Sequence, residues 1–329
     1  SSALLLALGA LSNPLFENHI KKGEEVITSA LTFPTSLNSI VLNGLKPVLI
    51  DVKRNNYNFD VDLMEDMITE KTRGILAMHA FGNPNEMDKI QKLVKKHDLF
   101  LAEDACGAHG SIFNDKMVGS FGDAGCFSFH GGHAMTFSEG GAVVTNNKEL
   151  RDIVYSLKTC GLHPEAFTDY TKRTHYVTVG YKMRITEMQA AFGVKQIERL
   201  PTFAKLRAQN FSKIRKGLQD FEDWLELPEP TKNSKPAWFS VPLTVREDAG
   251  FKAKELRDFL EKKNIETRAL LGGNVLKQPT YQSLDHRATL LPNAEYFHTN
   301  SFYVGCHQGL TDEIIEFMLQ SFGEFFKDK

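Results

Sequence analysis

Cysteine is scarce in this chain, and its four copies are scattered. Cys106, Cys126, Cys160 and Cys306 include no CxxC pair. That spacing gives neither a zinc site nor a disulfide framework, and it suits reduced, mostly buried thiols in a cytoplasmic protein. Charge of one sign is also lacking. The 39 Lys and Arg stand against 41 Asp and Glu, for a formal net charge of −2. A balance this close gives no electrostatic reason to bind nucleic acid or an anionic membrane. Long hydrophobic runs are missing too: none approaches the roughly 20 residues of a membrane span. The opening SSALLLALGAL has the apolar content of a signal-peptide core but no basic start and no A-x-A-like cleavage site. It reads instead as a buried amphipathic helix. It begins without Met, as if upstream residues were missing. No internal repeat and no low-complexity segment interrupts the rest.

What is present is the material of a globular fold. The chain is 42% hydrophobic and 24% charged over 329 residues, long enough for two domains. In the first half, apolar β-type runs recur at EEVITSA, KPVLIDV, GILAMHAFG, LFLAEDAC, GCFSFH and GAVVTNN, with helical patterns between most of them. In NEMDKIQKLVKKHD, Met87, Ile90, Leu93 and Val94 share one helical face, and Pro84 suits the helix's first turn. Apolar strands alternating with helices predict a largely parallel sheet covered on both faces. A helical pattern begins near Ile185, is interrupted by Pro201 and resumes at AKLRAQNFSKIRKGL. We take it as the passage between a first domain, residues 1–200, and a second, residues 201–329. The second domain follows with a Pro-rich loop, a strand at FSVPLTV, a helix at KAKELRDFLEKKN, a short strand at IETRAL and a last helix at DEIIEFMLQSFGEFF.

Ligands of open α/β sheets bind at the carboxyl ends of the strands, and three features gather there. Ser1, Ser2 and Ala3 lead into a helix, whose first N–H groups and dipole suit a phosphate, although serine is also a common helix cap. LFLAEDAC runs straight into Glu103 and Asp104. A carboxylate there is either a strand-end cap or the partner that keeps a pyridinium nitrogen protonated. The stretch GCFSFHGGHAMTFSEGGAVV carries Ser128 at a strand end and His130 and His133 in a glycine-rich turn. As a metal site the HxxH pair lacks a third ligand. The remaining readings are a structural histidine or a general base.

Taken in order, the segments SSALLLAL, ITSALTFPTSLNSIVLNGLKPVLIDV, AMHAFGNPNEMDKI, AEDACGAHGS, VGSFGDAGCFSF, EGGAVVTN and GYKMRITEMQAAFGVKQIERL resemble the DegT/DnrJ/EryC1/StrS family. These are pyridoxal-phosphate (PLP) enzymes acting on nucleotide-linked sugars. The resemblance covers essentially the whole chain except a family N-terminal segment that precedes Ser1. It implies the type I aminotransferase fold, an α/β architecture in which a large cofactor-binding domain with a mostly parallel sheet is joined by a connecting helix to a small C-terminal α/β domain. It also implies a homodimer with its active sites at the subunit interface. By position, Ser1, Ser2 and Ala3 would bind the cofactor phosphate, Phe33 would stack on the ring, Asp104 would pair with the pyridine nitrogen and Ser128 would add a phosphate contact. Lys182 would reach the phosphate from the partner subunit, standing where relatives usually have Asn.

His133 falls where most members carry the lysine that forms a Schiff base with PLP. An imidazole does not form a stable imine, but it remains a good base near neutral pH. The family branch with histidine here contains the CDP-4-keto-6-deoxyglucose 3-dehydrases and the GDP-4-keto-6-deoxymannose 3-dehydratases. TRALLGGNVLKQPTY and NSFYVGCHQGLTDEIIEFML look like that branch's C-terminal motifs, which would bring Arg268 and Asn274 to the sugar nucleotide or a donor carboxylate. The implied activity is dehydration at C3 of a nucleotide-linked 4-keto-6-deoxy sugar in deoxysugar synthesis for surface polysaccharide such as O-antigen. The cofactor would be PLP and its amine form PMP, not covalently linked. The CDP-type members hold an iron–sulfur cluster on four cysteines. The matching region here has only Cys160, with Cys106 near the first cluster position, so no cluster is expected and glutamate is the expected amino donor. Gly107 replaces a polar residue that contacts the ring hydroxyl in relatives. Two alternatives stay open on these residues: an aminotransferase that has recruited another lysine such as Lys182, and a non-catalytic binder of nucleotide sugars.

Overall fold

Short apolar runs between helical segments become strands in the structure, a computed structural model that describes residues 1–327 and 329. In chain order, β1 (Glu25–Ser29), β2 (Lys46–Ile50), β3 (Thr72–Met78) and β4 (Phe100–Asp104) lead to a small hairpin, β5 (Ile112–Phe113) and β6 (Lys116–Met117). Next come β7 (Ala124–Ser128), β8 (Gly141–Val144), β9 (Leu225–Glu226), β10 (Ser234–Lys235) and β11 (Ser240–Val245). The series ends with β12 (Thr267–Ala269), β13 (Arg287–Ala288) and β14 (Ser301–Gly305).

A seven-stranded sheet has the order β13-β2-β1-β3-β4-β7-β8. Every pairing in it is parallel except the last, β7 with β8. Its interior strand β1 is buried at all five positions, as a parallel strand covered on both faces must be. A four-stranded sheet, β12-β14-β11-β9, carries the C-terminal part of the chain.

The helices are α1 (Ser2–Leu11), α2 (Pro34–Leu42), α3 (Met87–His97), α4 (Lys148–Lys158), α5 (Glu187–Gly217), α6 (Ala253–Lys262), α7 (Pro292–Asn300) and α8 (Asp312–Phe326). No helix among the described residues is long and apolar enough to cross a membrane.

Three expectations change. Helix α1 is not amphipathic: seven of its ten residues are buried, and it packs as a core helix beneath β7, β8 and α4. Helix α5 runs unbroken for 31 residues with Pro201 inside it. Proline removes one N–H donor and crowds the preceding turn, but a capping box at Thr186 and Gln189 starts the helix. Buried Arg207, Asn210, Phe211 and Ile214 anchor its second half. Tertiary packing outweighs the one lost bond, so the expected division at 200/201 falls inside a single helix. Pro84 lies outside α3, which starts at Met87. The segment before it is tied to the end of β3, because Asn85 bonds the Met78 carbonyl and the His79 ring.

Candidate active site

Successive residues of a strand face opposite ways, and this separates the two carboxylates that end β4. Glu103 turns into the protein. It accepts hydrogen bonds from the amides of Gly119 at 2.7 Å, Phe121 at 2.6 Å and Gly122 at 2.9 Å. His79 completes the set, with Nε2 3.2 Å from the carboxylate. Because the His79 Nδ1 accepts from the Asn85 amide, its proton sits on Nε2 and is donated to Glu103. Burial acts to push the Glu103 carboxyl up, but His79 and the Gly119 and Gly122 amides outweigh it and hold the group below its ordinary value. Glu103 is thereby committed to the fold.

Asp104 has few partners. It is buried, accepts from Ser36 Oγ at 2.6 Å and from the Cys106 amide at 3.2 Å, and stands level with Met78 on β3 and Cys126 on β7. Ser36 comes from the first turn of α2, where Phe33 is the cap residue and Pro34 the first helical residue. The Phe33 ring is half exposed on the same rim.

The neighbouring strand delivers the next group. Ser128 ends β7 and is paired with Gly141 at the start of β8. A Cβ on Gly141 would stand 3.0 Å from the Phe127 carbonyl and 3.2 Å from Ala3 Cβ, so the first turn of α1 comes right up to this strand pair. Ser1 caps α1 without a side-chain hydrogen bond, and Ser1 and Ser2 are exposed. The first turn of α1 with Ala3 and the Ser128 end of β7 therefore lie close together.

His133 sits in the Phe129–Gly140 connection between β7 and β8. The loop is closed by Phe129 N–H to the Gly140 carbonyl at 3.0 Å and by Thr136 Oγ to the Phe129 carbonyl at 2.9 Å. Stacking of Phe129 on Phe137 at 4.3 Å rigidifies it. Helix α5 holds it from outside, with Gln189 bonded to the Glu139 carbonyl and Gly193 leaving space for the Phe137 ring. A Cβ on Gly193 would approach that ring to 2.8 Å.

Around the His133 ring stand Phe239 at 5.3 Å, His109 at 6.1 Å and His130 at 6.1 Å, centroid to centroid. Its Nδ1 is sealed without a hydrogen-bond partner, and its Nε2 is not sealed. Burial pushes the imidazole down to about 4, helped by His109, His130 and the Arg207 guanidinium and opposed by Asp104. His133 is therefore neutral at pH 7 and available as a base.

The other expected residues are placed less simply. Arg268, on β12, is exposed and paired with Glu266. It is cross-strand from Tyr303, which packs near Phe239 and so reaches the His133 wall indirectly. Asn274 does face the Phe33 rim, through the bridge between Leu31 and Asn274. Its side chain, however, is buried, accepts from the Leu276 amide and donates to Glu295. Lys182 is exposed, bridges to Thr159 through the backbone and forms no ion pair among the described residues.

Residues 1–322 match the DegT/DnrJ/EryC1/StrS aminotransferase family. The chain belongs to that family. Among DegT/DnrJ/EryC1/StrS relatives, it is 39% identical over 350 residues to the lipopolysaccharide biosynthesis protein RfbH of Salmonella typhimurium, covering 99% of this chain and 79% of that protein. It is 38% identical over 346 residues to the dTDP-4-dehydro-2,6-dideoxy-D-glucose 3-dehydratase of Saccharopolyspora spinosa, covering 99% and 75%. Its fold superposes with a TM-score of 0.91 on a GDP-4-keto-6-deoxymannose-3-dehydratase solved with a trapped PLP-glutamate geminal diamine, at 28% identity over 97% of this chain and 85% of that one. The architecture is thus that of the PLP-dependent aminotransferases, and nucleotide-sugar 3-dehydratases stand among the relatives.

The residues present fit such a cofactor. A buried carboxylate with two donors to share, an exposed aromatic ring, free helix N–H groups beside Ser128 and an open imidazole nitrogen occupy one end of the parallel sheet. Sequence reasoning missed three participants. Ser36 orients Asp104, Arg207 braces the Phe239 carbonyl at 2.8 Å, and His109 lies buried beside His133. None carries a local signal, because each is recruited by a contact distant in sequence.

Proposed function

We propose that the chain is a 3-dehydratase that removes the C3 hydroxyl of a nucleotide-linked 4-keto-6-deoxyhexose, with PMP held unlinked and glutamate restoring it. The observation that carries this reading is His133. It is an imidazole with a free Nε2 in the β7–β8 connection, on a chain whose relatives include 3-dehydratases. The cofactor supplies, when bound, an amine for the sugar's ketone and a ring that accepts electrons.

The chain's own residues do the rest. Asp104, held by Ser36 and the Cys106 amide, would face the pyridine nitrogen. The first turn of α1, with Ser1, Ser2, Ala3 and Ser128, would take the phosphate, and Phe33 would cover the ring. Neutral His133 would take a proton at Nε2 and later return it. Overall, the sugar loses C3–OH and gains C3–H. Glutamate provides the two electrons and leaves as 2-oxoglutarate and ammonia. Arg268 would meet the substrate from β12; Asn274, already engaged, would shape the loop that faces Phe33. The four thiols lie on separate elements, and the route proposed needs no iron–sulfur cluster.

The resting protein gives the test. Borohydride treatment of the PLP-loaded protein followed by peptide mapping is expected to yield no cofactor–lysine adduct. An adduct on Lys182 or any other lysine would establish the aminotransferase reading instead.

A homodimer belongs to the same proposal. Val179 is 92% exposed and Met188 82% exposed, and Phe192, Val194 and Ile197 of α5 are also exposed. So many exposed apolar side chains in one stretch of chain suit an interface, and Lys182 lies between Val179 and Met188 in the sequence. Introducing Met188→Glu and Val194→Glu together is expected to convert the dimer to a monomer in light scattering and to abolish turnover. A double variant that stayed dimeric would place the interface elsewhere.

A further inference from the structure

His109 is the buried group that the proposed mechanism leaves without a task. It is 3% exposed, and neither ring nitrogen has a hydrogen-bond partner among the described residues. Burying such atoms unpaired carries a desolvation penalty, so an imidazole with two of them calls for an explanation. The segment that carries it is fixed. The Ser111 amide bonds the Ala108 carbonyl, Ser111 Oγ donates to the Gly82 carbonyl at 2.6 Å, and the Ala237 amide donates to Ser111 Oγ at 2.9 Å. Phe127 and Phe129 flank the ring at 5.3 and 5.9 Å. His133 also flanks it, 6.1 Å away between centroids and tilted by 49°. The sealed nitrogen of His133 is Nδ1. Among the described residues, three buried imidazole nitrogens on these two rings therefore lack partners, and at 6.1 Å between centroids the rings form no direct hydrogen bond.

We propose that His109 is the positioning partner of His133. Through one bridging water it receives the Nδ1–H of His133, which fixes the ring as the Nδ1–H tautomer and leaves the Nε2 lone pair to act as the base. The inference rests on the dehydratase reading only for the use made of Nε2. No bond is made or broken between the rings: the proton stays on Nδ1, and the water passes a hydrogen bond to His109. The charged and titratable groups about the pair are consistent with neutral rings. Arg207 acts on both, His130 and Asp104 act on His133, and the Cys106 backbone, which meets no full hydrogen-bond geometry with the ring, acts upward on His109. Burial, with Arg207, pushes His109 down to about 4, so at pH 7 it can accept a hydrogen bond at one nitrogen.

The test uses the full-length protein labelled with [15N]histidine, free of cofactor, at pH 7. His133 is assigned by the resonances lost in His133→Asn. The wild type and His109→Gln, whose amide can still pair with the water, are expected to show Nε2 unprotonated and Nδ1 protonated. In His109→Phe, which keeps the ring packing and loses both nitrogens, the two nitrogens are expected to move toward a mixture of tautomers. His109→Leu repeats the comparison should the Phe variant fail to fold. An unchanged tautomer in the apolar variant, or a wild type protonated at Nε2, would overturn the pairing. In turnover, His109→Phe is expected to lower kcat about tenfold or more while KM for the sugar nucleotide stays within about twofold, with His109→Gln recovering most of the rate. Absence of deoxygenation by the wild type would defeat the functional proposal alone, because the tautomer measurement needs no substrate.

Discussion

Replacing His133 with Asn is expected to lower deoxygenation by a factor of about 10²–10⁴, the usual contribution of a positioned base, and to leave cofactor binding intact. Asparagine has similar bulk and polarity but takes no proton. The cofactor contacts assigned to Asp104, Ser128 and the first turn of α1 lie on other elements, so PLP absorbance in the protein should saturate at the same concentration. The pH dependence follows from the same group. Burial holds His133 down to about 4, against 6.5 for an unperturbed imidazole. A base works in its neutral form, so kcat/KM should stay level as pH falls through 6.5 and drop only as it nears 4. An acid limb near 6.5 that vanished in the Asn variant would show that the site is far wetter than the geometry implies. A fully active Asn variant would remove His133 from the mechanism.

Asp104→Asn is expected to cost about 10²–10³ in kcat, the scale of losing one preorganised charge at the reacting centre, with little loss of stability. Among the described residues its carboxylate has Ser36 and the Cys106 amide as partners, and an amide can keep one of those bonds. Glu103→Gln should behave in the opposite way. It removes charge from a group that satisfies three backbone amides and His79, and stability should fall by about 3 kcal/mol or more. Parallel chemical denaturation and steady-state kinetics on the two variants separate the roles of adjacent residues. If Asp104→Asn unfolded the protein and Glu103→Gln only slowed it, the assignment along β4 would be reversed.

Much of this arrangement is written locally. The strand ends that carry Asp104 and Ser128 are legible because fully buried parallel strands are apolar throughout, and a carboxylate or serine stands out where such a run stops. His133 is legible because two glycines force a turn and the surrounding segments resemble one family.

What is not legible depends on distant contacts. The Arg287–Ala288 strand that extends the large sheet beyond β2 is two residues long and has no periodicity to read. Ser301–Gly305, the centre of the smaller sheet, is as short as its neighbours and follows directly on helix α7. Pro201 looked like a break because propensity counts the lost hydrogen bond and cannot count the burial of Arg207, Phe211 and Ile214. Asn274 has the polarity of a ligand-binding residue, yet its amide closes a turn and meets Glu295. His109 is the reverse case. It is a polar residue among Ala and Gly, and its meaning appears only when the chain folds His133 against it.

The most direct test is the mass of the product formed from a nucleotide-linked 4-keto-6-deoxyhexose with PLP and glutamate and no added reductant. The GDP-4-keto-6-deoxymannose and the CDP-4-keto-6-deoxyglucose substrates are run in parallel. The account predicts a ketone lighter than the substrate by one oxygen, with 2-oxoglutarate and ammonia released in equal amounts. An amino sugar that retains its C3 hydroxyl would contradict it, and would mean that a lysine does the work here assigned to His133.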